Sequence, residues 1–337
     1  MKKILLIQTA FLGDLILTTP LIKAVKKAFP QSFLCVLLIP ETSEVLKNNP
    51  YVDKIIVYDK RKDKSLKTFF SIMKNIKGKN FDLALIPHRS FRSALISYLA
   101  KIPQRIGFDS SAGSFLFNQK ILYNPKIHEI ERNLSLLKEF NFELENKSPQ
   151  LFPEEKDFNW AKNFLKEAGI KENEKIVGVA PGSVWATKRW LKERFAEVAD
   201  KLISENFAKI IFFGSDDDRS LCEDISSQMK EKPIIAAGKT SILQSSALIS
   251  FCSLFLSNDT AGMHLAVAQK KPVVAIFGST VPEFGFFPYG DGHIIIEKKL
   301  YCRPCGIHGK KKCPEKHFDC MKKISVEEVF EAVKSKL

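Results

Sequence analysis

The sequence predicts an α/β fold of two doubly wound, Rossmann-like domains whose parallel sheets face a central cleft. Its 337 residues, 45% of them hydrophobic, are more than one compact core usually holds. Short and nearly continuous apolar runs alternate with helical patterns, and this alternation occurs twice along the chain. Such strands indicate parallel sheets covered on both faces, and ligands bind beyond the carboxyl ends of strands in sheets of this kind.

The predicted strands form two groups of four, separated by a more polar stretch around residues 141–175. The first group comprises residues 2–7, 33–39, 54–59 and 82–87, and the second comprises residues 175–181, 209–215, 254–259 and 272–278. We therefore predict an N-terminal domain over residues 1–165, a C-terminal domain over residues 166–322 and a final helix over residues 323–337. A capping-box pattern at Ser325 marks the start of that helix.

Positive charge is concentrated in the first half of the chain. The net charge is +14; residues 1–150 carry 24 Lys and Arg against 13 Asp and Glu, or +11, and residues 151–337 carry 28 against 25, or +3. This bias indicates an anionic partner, which would be a nucleic acid, an acidic membrane surface or a phosphorylated substrate. The alternative is a lysine-rich protein whose lysines lie on ordinary solvated faces.

The sequence carries no pattern typical of membrane insertion or export. No run approaches 18 apolar residues, and the apolar N-terminus is interrupted by Gln8, Gly13 and Asp14, as expected of a buried first strand. Seven cysteines without an export signal indicate a reducing compartment, where disulfides are rare.

The loop after the first predicted strand, "TAFLGD", places Asp14 near the start of a helix that faces the predicted cleft. Asp14 is either a functional acid or a helix cap, a role that Asp often has. The loop does not match GxGxxG, so dinucleotide binding has little support.

Two loops of the second half suit a phosphate. In "APGSVWATKRW", the turn around Ser183 can present backbone N–H groups, and Lys188 adds a positive charge, although no Walker motif is present. In "SNDTAGMHLAVA", Asp259 and Thr260 lie at the start of a helix whose free N–H groups would receive a diphosphate, and His264 lies one turn beyond Thr260. Gly262 would allow a ligand to approach the backbone closely.

A third loop, "FGSDDD", starts a helix with Asp216, Asp217 and Asp218. Acids in a first helical turn are favoured by the helix dipole, which makes a metal site the weaker interpretation. One of these acids could instead bind a ribose hydroxyl, and the sequence does not indicate which.

The segment "YCRPCGIHGKKKCPEKHFDCM" contains a candidate structural zinc site. A CxxC pair followed by two further thiols is a plausible four-thiolate set, made of Cys302, Cys305, Cys313 and Cys320. His308 and His317 are alternative ligands. Buried free thiols or a strained disulfide are the competing interpretations.

Taken together, these loops resemble the lipopolysaccharide heptosyltransferase family, glycosyltransferase family 9, and most closely its heptosyltransferase II branch. The resemblance is carried by "QTAFLGDLILTTPLIKAV", "APGSVWATKRWLKERFAEVA", "SNDTAGMHLAVAQKKPVVAIFGSTVPEFGFFPYG" and the cysteine segment. It extends from residue 1 to beyond residue 320, and it is weakest over residues 60–80 and 140–170. One departure is Ala261, where other branches often have Gly or Ser.

The resemblance implies a GT-B fold and an inverting, metal-independent transfer that requires no cofactor. The donor would be ADP-L-glycero-β-D-manno-heptose, and the acceptor would be a lipid-linked heptose of the lipopolysaccharide inner core. Asp14 would be the general base. The donor would contact Ser183, Thr187, Lys188, Asp259, Thr260, Ala261, Gly262 and His264, with Lys188 and His264 stabilising the departing ADP.

The expected acceptor is anionic and lies at the cytoplasmic face of the inner membrane, so a basic N-terminal domain would attract it. Cationic side chains that would bind its acids and phosphates are His88, Arg89, Arg92, Arg105, His128 and Arg132. Residues 54–79 also carry nine Lys or Arg against two Asp. We therefore expect a cytoplasmic protein that binds anionic membranes peripherally. Charge reversal at Lys62, Lys64 and Lys67 should weaken this binding. The alternative is that the segment is an ordinary surface helix.

Other functions remain open at this level. A heptosyltransferase I or III, or a related transferase with another nucleotide sugar, would use the same loops. A sugar-nucleotide epimerase would need GxGxxG and a Tyr-x-x-x-Lys pair, which are absent. A non-catalytic protein that binds anionic ligands is the alternative from another class; nucleic-acid binding is not expected, because it would leave the donor loops unexplained.

Overall fold

The computed structural model describes residues 1–59 and 66–337, except for the side chains of Leu66 and Lys67. The basic side chains of Lys60, Arg61, Lys62 and Lys64, and that of Lys67, therefore lie outside the described residues. The chain divides into two compact units, Met1–Phe152 and Pro153–Leu337.

The described part of the first unit contains a six-stranded parallel sheet in the order β3-β2-β1-β4-β5-β6. Its strands are β1 (Lys3–Ile7), β2 (Phe33–Leu38), β3 (Lys54–Val57), β4 (Leu83–Ile86), β5 (Gln104–Phe108) and β6 (Gln119–Ile121). Its helices are α1 (Leu12–Ile16), α2 (Thr19–Ala28), α3 (Leu66–Lys77), α4 (Phe91–Leu99) and α5 (Glu129–Ser135), with 3₁₀ turns at Pro40–Leu46 and Ser114–Leu116.

The central strands of this sheet are apolar on both faces because helices cover both. Strand β1 pairs with β2 so that Leu5 lies opposite Cys35 and Ile7 opposite Leu37, and all four side chains are fully buried. The helix predicted after "TAFLGD" is two helices, α1 and α2. Pro20 at the start of α2 explains the break, since proline favours the first helical turn and cannot continue a preceding helix.

The second unit contains a six-stranded parallel sheet in the order β12-β11-β10-β7-β8-β9. Its strands are β7 (Ile176–Ala180), β8 (Lys209–Phe212), β9 (Ile234–Ile235), β10 (Leu254–Asn258), β11 (Val273–Phe277) and β12 (Ile294–Glu297). Its helices are α6 (Glu155–Glu167), α7 (Lys192–Ser204), α8 (Asp216–Gln228), α9 (Ile242–Ile249), α10 (Ala261–Ala268), α11 (Asp319–Lys322) and α12 (Val326–Lys334), with 3₁₀ turns at Ala186–Lys188 and Pro282–Phe284.

The unit boundary falls after Phe152, before the boundary expected after residue 165. The reason is that α6 packs against α9 and so belongs with the second unit. The terminal helix α12 has Ser325 as its N-cap and also packs into the second unit. Its residues Val329, Phe330 and Val333 belong to the apolar core of that unit.

The predicted fold class is confirmed, because both sheets are parallel, six-stranded in the described chain and flanked by helices. Each of the eight predicted strands is present. Four short strands were not predicted, because they are brief or interrupted by polar residues; these are β5, β6, β9 and β12. Within residues 1–59 and 66–337, none of the helices combines the length and the apolar composition needed to cross a bilayer.

Both sheets reverse their strand order at one point, between β1 and β4 in the first unit and between β7 and β10 in the second. Loops diverge there to opposite faces of the sheet, which leaves a crevice at the carboxyl ends of the strands. These two points are therefore where polar side chains should be sought.

Candidate active site

Side chains at the end of β10 tie the loop after β7 to the crevice of the second unit. The Asn258 side-chain amide donates to the Pro181 carbonyl at 2.8 Å, and its oxygen accepts from the Trp190 N–H at 3.1 Å. Asn258 is fully buried, so both of its hydrogen bonds are shielded from water. The loop that contains Ser183, Thr187 and Lys188 is thereby held at the start and at the end.

Lys188 and Asp259 form an ion pair at this crevice. The Lys188 Nζ lies 2.6 Å from Asp259 Oδ2, which also accepts a hydrogen bond from the Thr280 hydroxyl at 2.7 Å. Only 14% of the Lys188 side chain and 9% of the Asp259 side chain are exposed. A pair this sheltered has fixed geometry, so the ammonium group is held in place beside the start of α10.

Helix α10 begins at the predicted position. Its N-cap Thr260 has an extended backbone, and the Thr260 hydroxyl lies 3.2 Å from the Ser257 hydroxyl. Ala261 and Gly262 follow in the first turn, and the buried His264 lies one turn beyond Thr260. The first N–H groups of an α-helix have no partner within the helix and carry partial positive charge, so this start can receive an anion.

Gly262 has a packing role that the sequence did not indicate. A Cβ atom at this position would lie 3.0 Å from the Cβ atom of Ala180, the last residue of β7. The absence of a side chain therefore lets α10 approach the strand that carries the Pro181–Ser183 turn.

A loop of the cysteine segment, around Gly309 and Lys310, packs against Thr187. The Thr187 N–H donates to the Lys310 carbonyl at 3.1 Å, and the Lys310 N–H donates to the Thr187 hydroxyl at 2.7 Å. The same hydroxyl donates to Ser279 Oγ at 3.0 Å. Gly309 fits here because a Cβ atom would lie 3.1 Å from the side chains of Lys188, Thr187 and Ser279.

The turn after β7 is stabilised from within. The Arg189 Nε donates to the Ser183 carbonyl at 2.6 Å, and the Ser183 hydroxyl accepts from the Trp185 N–H at 3.4 Å. Asp218 forms the predicted kind of helix-start contact, because its carboxylate accepts from the Ser215 N–H and hydroxyl at 3.0 and 2.7 Å.

In the first unit, the residues that follow β1 and β4 meet. The His88 Nδ1 lies 3.0 Å from the Thr9 hydroxyl and 3.1 Å from the Ser93 hydroxyl. Asp14 lies in α1, close in sequence to Thr9, and its Oδ2 accepts from the Phe11 N–H at 3.2 Å. Asp14 thus caps α1, while a carboxylate retains capacity to accept a further proton.

Charged and aromatic side chains lie at the same edge of this sheet. The Arg89 guanidinium lies 4.2 Å from the centroid of the Tyr123 ring, and that of Arg132 lies 5.2 Å from it. Arg132 is buried and its Nε is 2.7 Å from Glu129 Oε2. Burial raises the pKa of Glu129 to about 7, while the Arg132 guanidinium lowers it and the Asp14 charge raises it. The carboxylates of Glu129 and Asp14 are therefore close enough to influence each other.

The structure places Arg105 away from this edge and gives His128 and Arg92 different surroundings from each other. Arg105 lies at the start of β5, which is the amino end of a parallel strand, and its guanidinium donates to the carbonyls of Leu116 and Ile102 at 2.8 and 2.5 Å. His128 is the buried N-cap of α5, and its Nδ1 accepts from the Ile130 N–H at 3.1 Å. Arg92 is exposed on α4.

The described residues do not form a metal site at the predicted zinc set. In the described part of the chain, no three His, Cys, Asp or Glu side chains are arranged to hold a metal ion. Cys320 lies in the apolar core of the second unit, whereas Cys302, Cys305 and Cys313 lie in the partly exposed loop. Burial raises the pKa of the Cys320 thiol to about 11, and the nearby Cys305, Cys313 and Cys302 raise it as well.

Several residues of these sites were missed by the sequence analysis: Thr9, Tyr123, Glu129, Asn258, Ser279, Thr280 and Lys310. Ser279 and Thr280 directly follow the predicted strand 272–278, so the rule that located Asp259 applied to them as well. Tyr123 and Glu129 had no such signal, because β6 was not predicted.

Two Rossmann-like units in one chain are the architecture of GT-B glycosyltransferases, and the polar loops at both switch points agree with that class. The chain belongs to glycosyltransferase family 9 (heptosyltransferase), whose family model matches residues 69–318. The predicted family and the prediction of a glycosyltransferase are thereby confirmed.

Curated relatives are similar over most of their length. The lipooligosaccharide heptosyltransferase 2 of Campylobacter jejuni serotype O:6 is 28% identical, with 98% of each chain covered. The lipopolysaccharide heptosyltransferase 3 of Escherichia coli K12 is 27% identical, with 80% of each chain covered.

Solved structures share the fold. A glycosyl transferase of family 9 from Veillonella parvula superposes with a TM-score of 0.88 at 26% identity, covering 99% of this chain and 97% of the other. The ADP-heptose lipopolysaccharide heptosyltransferase II of E. coli has a TM-score of 0.81 at 23% identity, covering 100% and 98%, which supports the fold alone.

Proposed function

We propose that this protein transfers L-glycero-D-manno-heptose from ADP-heptose to the inner-core heptose of lipopolysaccharide, as a heptosyltransferase II. The observation that carries the proposal is the sheltered Lys188–Asp259 pair beside the start of α10. An ammonium group and free helix N–H groups at one point suit a nucleotide diphosphate. Membership of family 9 and the similarity to heptosyltransferases support heptose as the sugar.

In this proposal the second unit holds the donor. Lys188 and the first turn of α10 bind the diphosphate and stabilise the charge that develops as ADP departs. Ser183, Thr187, Thr260 and Ala261 line the same crevice, and His264 lies one turn further along α10. Asp259 orients Lys188 and Thr280 rather than binding the anion itself, because two negative groups would repel each other.

The first unit holds the acceptor. Asp14 takes the proton from the acceptor hydroxyl while the hydroxyl oxygen attacks the anomeric carbon and the bond to ADP breaks, so the anomeric configuration inverts. We propose that transfer takes place at the cytoplasmic face of the inner membrane, where the positive charge of residues 1–150 attracts an anionic surface. Neither a metal nor a cofactor is required in this scheme.

A donor screen tests the proposal. Calorimetric titration with the ADP, UDP, GDP and CDP forms of sugars should give clear binding only for the adenine series, with ADP-heptose bound most tightly. Transfer to a heptose-bearing inner-core acceptor should then continue in EDTA. Preference for another nucleotide, or transfer to an earlier or later core position, would replace heptosyltransferase II with a different member of the family.

Alanine variants of two glycines test whether the loop around Gly309 sets the position of Lys188. Gly309 and Gly292 share a left-handed backbone, with φ of +85° and +83°, but a Cβ atom meets nothing within 4 Å at Gly292. Both alanine variants should lose about 1–2 kcal/mol of stability from backbone strain. Only Gly309→Ala should also weaken ADP binding, by about 3- to 10-fold, because it presses on the Lys188 side chain. Equal ADP affinity of the two variants in calorimetry would show that the loop around Gly309 does not set the position of Lys188.

A further inference from the structure

Two arginines contact the same ring in the first unit, but they differ in what else they bind. Arg132 has 1% of its side chain exposed, pairs with Glu129 at 2.7 Å and donates from Nη1 to the Pro125 carbonyl at 3.2 Å. Arg89 is exposed, and no carboxylate of the described residues lies within ion-pair distance of it. Arg132 therefore has a structural role, whereas the charge of Arg89 is available to a ligand.

Tyr123 gives Arg89 a defined position. A guanidinium group 4.2 Å from the ring centroid is stabilised by the negative face of the ring. Stacking leaves the in-plane N–H groups along the edge of the guanidinium, where they can form the paired hydrogen bonds that a carboxylate or phosphate accepts. A stacked arginine also loses less conformational freedom on binding than a solvated one.

Arg89 lies beside the candidate acceptor chemistry. It follows His88, whose Nδ1 contacts Thr9 at the end of β1. The Asp14 carboxylate raises the pKa of Glu129 and the Arg89 guanidinium lowers it, so both charges lie within electrostatic range of Glu129.

We propose that Arg89, held by Tyr123, binds a phosphate or carboxylate group of the acceptor and thereby determines its specificity. The inference rests on the proposed function, in which Asp14 activates the acceptor hydroxyl. Tyr123 is a positioning residue that acts through Arg89. Arg132 is buried and paired with Glu129, so of these two guanidinium groups only that of Arg89 is presented to the acceptor.

Steady-state kinetics with the full-length enzyme test the inference. Arg89→Gln should raise the acceptor KM by about 10- to 100-fold, with little change in kcat or in the donor KM, because a charge-assisted contact is lost. Arg89→Lys should restore only part of the affinity, since Lys lacks the planar fork. Lys101→Gln, which removes an exposed positive charge between α4 and β5, is the matched control and should behave as wild type.

A second pair of variants tests the ring. Tyr123→Phe keeps the aromatic face and should retain the wild-type acceptor KM, whereas Tyr123→Leu should raise it by about 3- to 10-fold. A loss in both variants, or in neither, would contradict positioning by stacking.

The source of the anion is identified with three acceptor preparations: native, phosphatase-treated and carboxyl-reduced. The modification that removes the group bound by Arg89 should raise the wild-type KM and abolish the difference between wild type and Arg89→Gln. If neither modification abolishes that difference, Arg89 does not bind an acceptor anion. Failure of the proposed function looks different, because the wild-type enzyme would then not transfer heptose to the native acceptor at all.

Discussion

Asp14→Asn is expected to lower kcat by about 10²- to 10⁴-fold, while the affinity for ADP-heptose stays close to that of wild type. An asparagine cannot accept the proton that the acceptor hydroxyl must lose. It can still accept the hydrogen bond from the Phe11 N–H, because its side-chain oxygen can take the place of Asp14 Oδ2. The start of α1 should therefore survive, and the thermal midpoint should change little.

Asp157→Asn is the matched control for this variant. Asp157 has the same position in α6 as Asp14 has in α1, and its Oδ2 accepts from the Glu154 N–H at 2.9 Å. If loss of a helix-capping carboxylate were the cause, both variants would lose stability alike and neither would lose turnover specifically. Near-normal turnover of Asp14→Asn in a coupled ADP-release assay would leave Asp14 as a helix cap.

The polar crevice of the second unit, which we propose as the donor site, could be predicted from sequence because its residues lie in loops that follow strands. Asp259 comes after "LFLSN" and Lys188 is eight residues beyond β7, so strand prediction alone brought them to one edge of the sheet. Their 2.6 Å ion pair could not be predicted, since it depends on a 3₁₀ turn at Ala186–Lys188 and on the Asn258 hydrogen bonds to both sides of the loop.

Charge alone was a poorer guide to the first unit. Arg105 and Arg132 were grouped with Arg89 because all three are cationic. In the structure, Arg105 donates to backbone carbonyls and Arg132 pairs with Glu129. Arg89 differs because its guanidinium lies against Tyr123 while the residue stays exposed, and Tyr123 follows a three-residue strand with no clear pattern. Tertiary contacts of this kind are absent from local sequence.

The cysteine segment illustrates a third limit. Its spacing suggested four equivalent ligands, but spacing does not give the burial of each thiol, and Cys320 is buried whereas Cys302, Cys305 and Cys313 are partly exposed. Cys320 lies on α11 next to Met321, and both side chains are buried in the core of the second unit. The segment contributes through its backbone, because Lys310 exchanges two hydrogen bonds with Thr187.

Lys188→Ala is expected to lower kcat/KM for the donor by about 10²- to 10³-fold, the usual effect of removing one group that stabilises developing negative charge. It should also destabilise the protein, because Asp259 would remain sheltered without its partner. The lost activity could then be attributed to misfolding, so a second variant is needed to separate the two effects.

The double variant Lys188→Ala/Asp259→Asn separates them. It removes the unpaired charge and keeps an oxygen that accepts the Thr280 hydrogen bond, so chemical denaturation should show that most of the lost stability returns. Transfer should remain as low as in Lys188→Ala, because no ammonium group faces the diphosphate. If the double variant regained activity together with stability, Lys188 would serve only to neutralise Asp259, and the diphosphate would be held by the start of α10 alone.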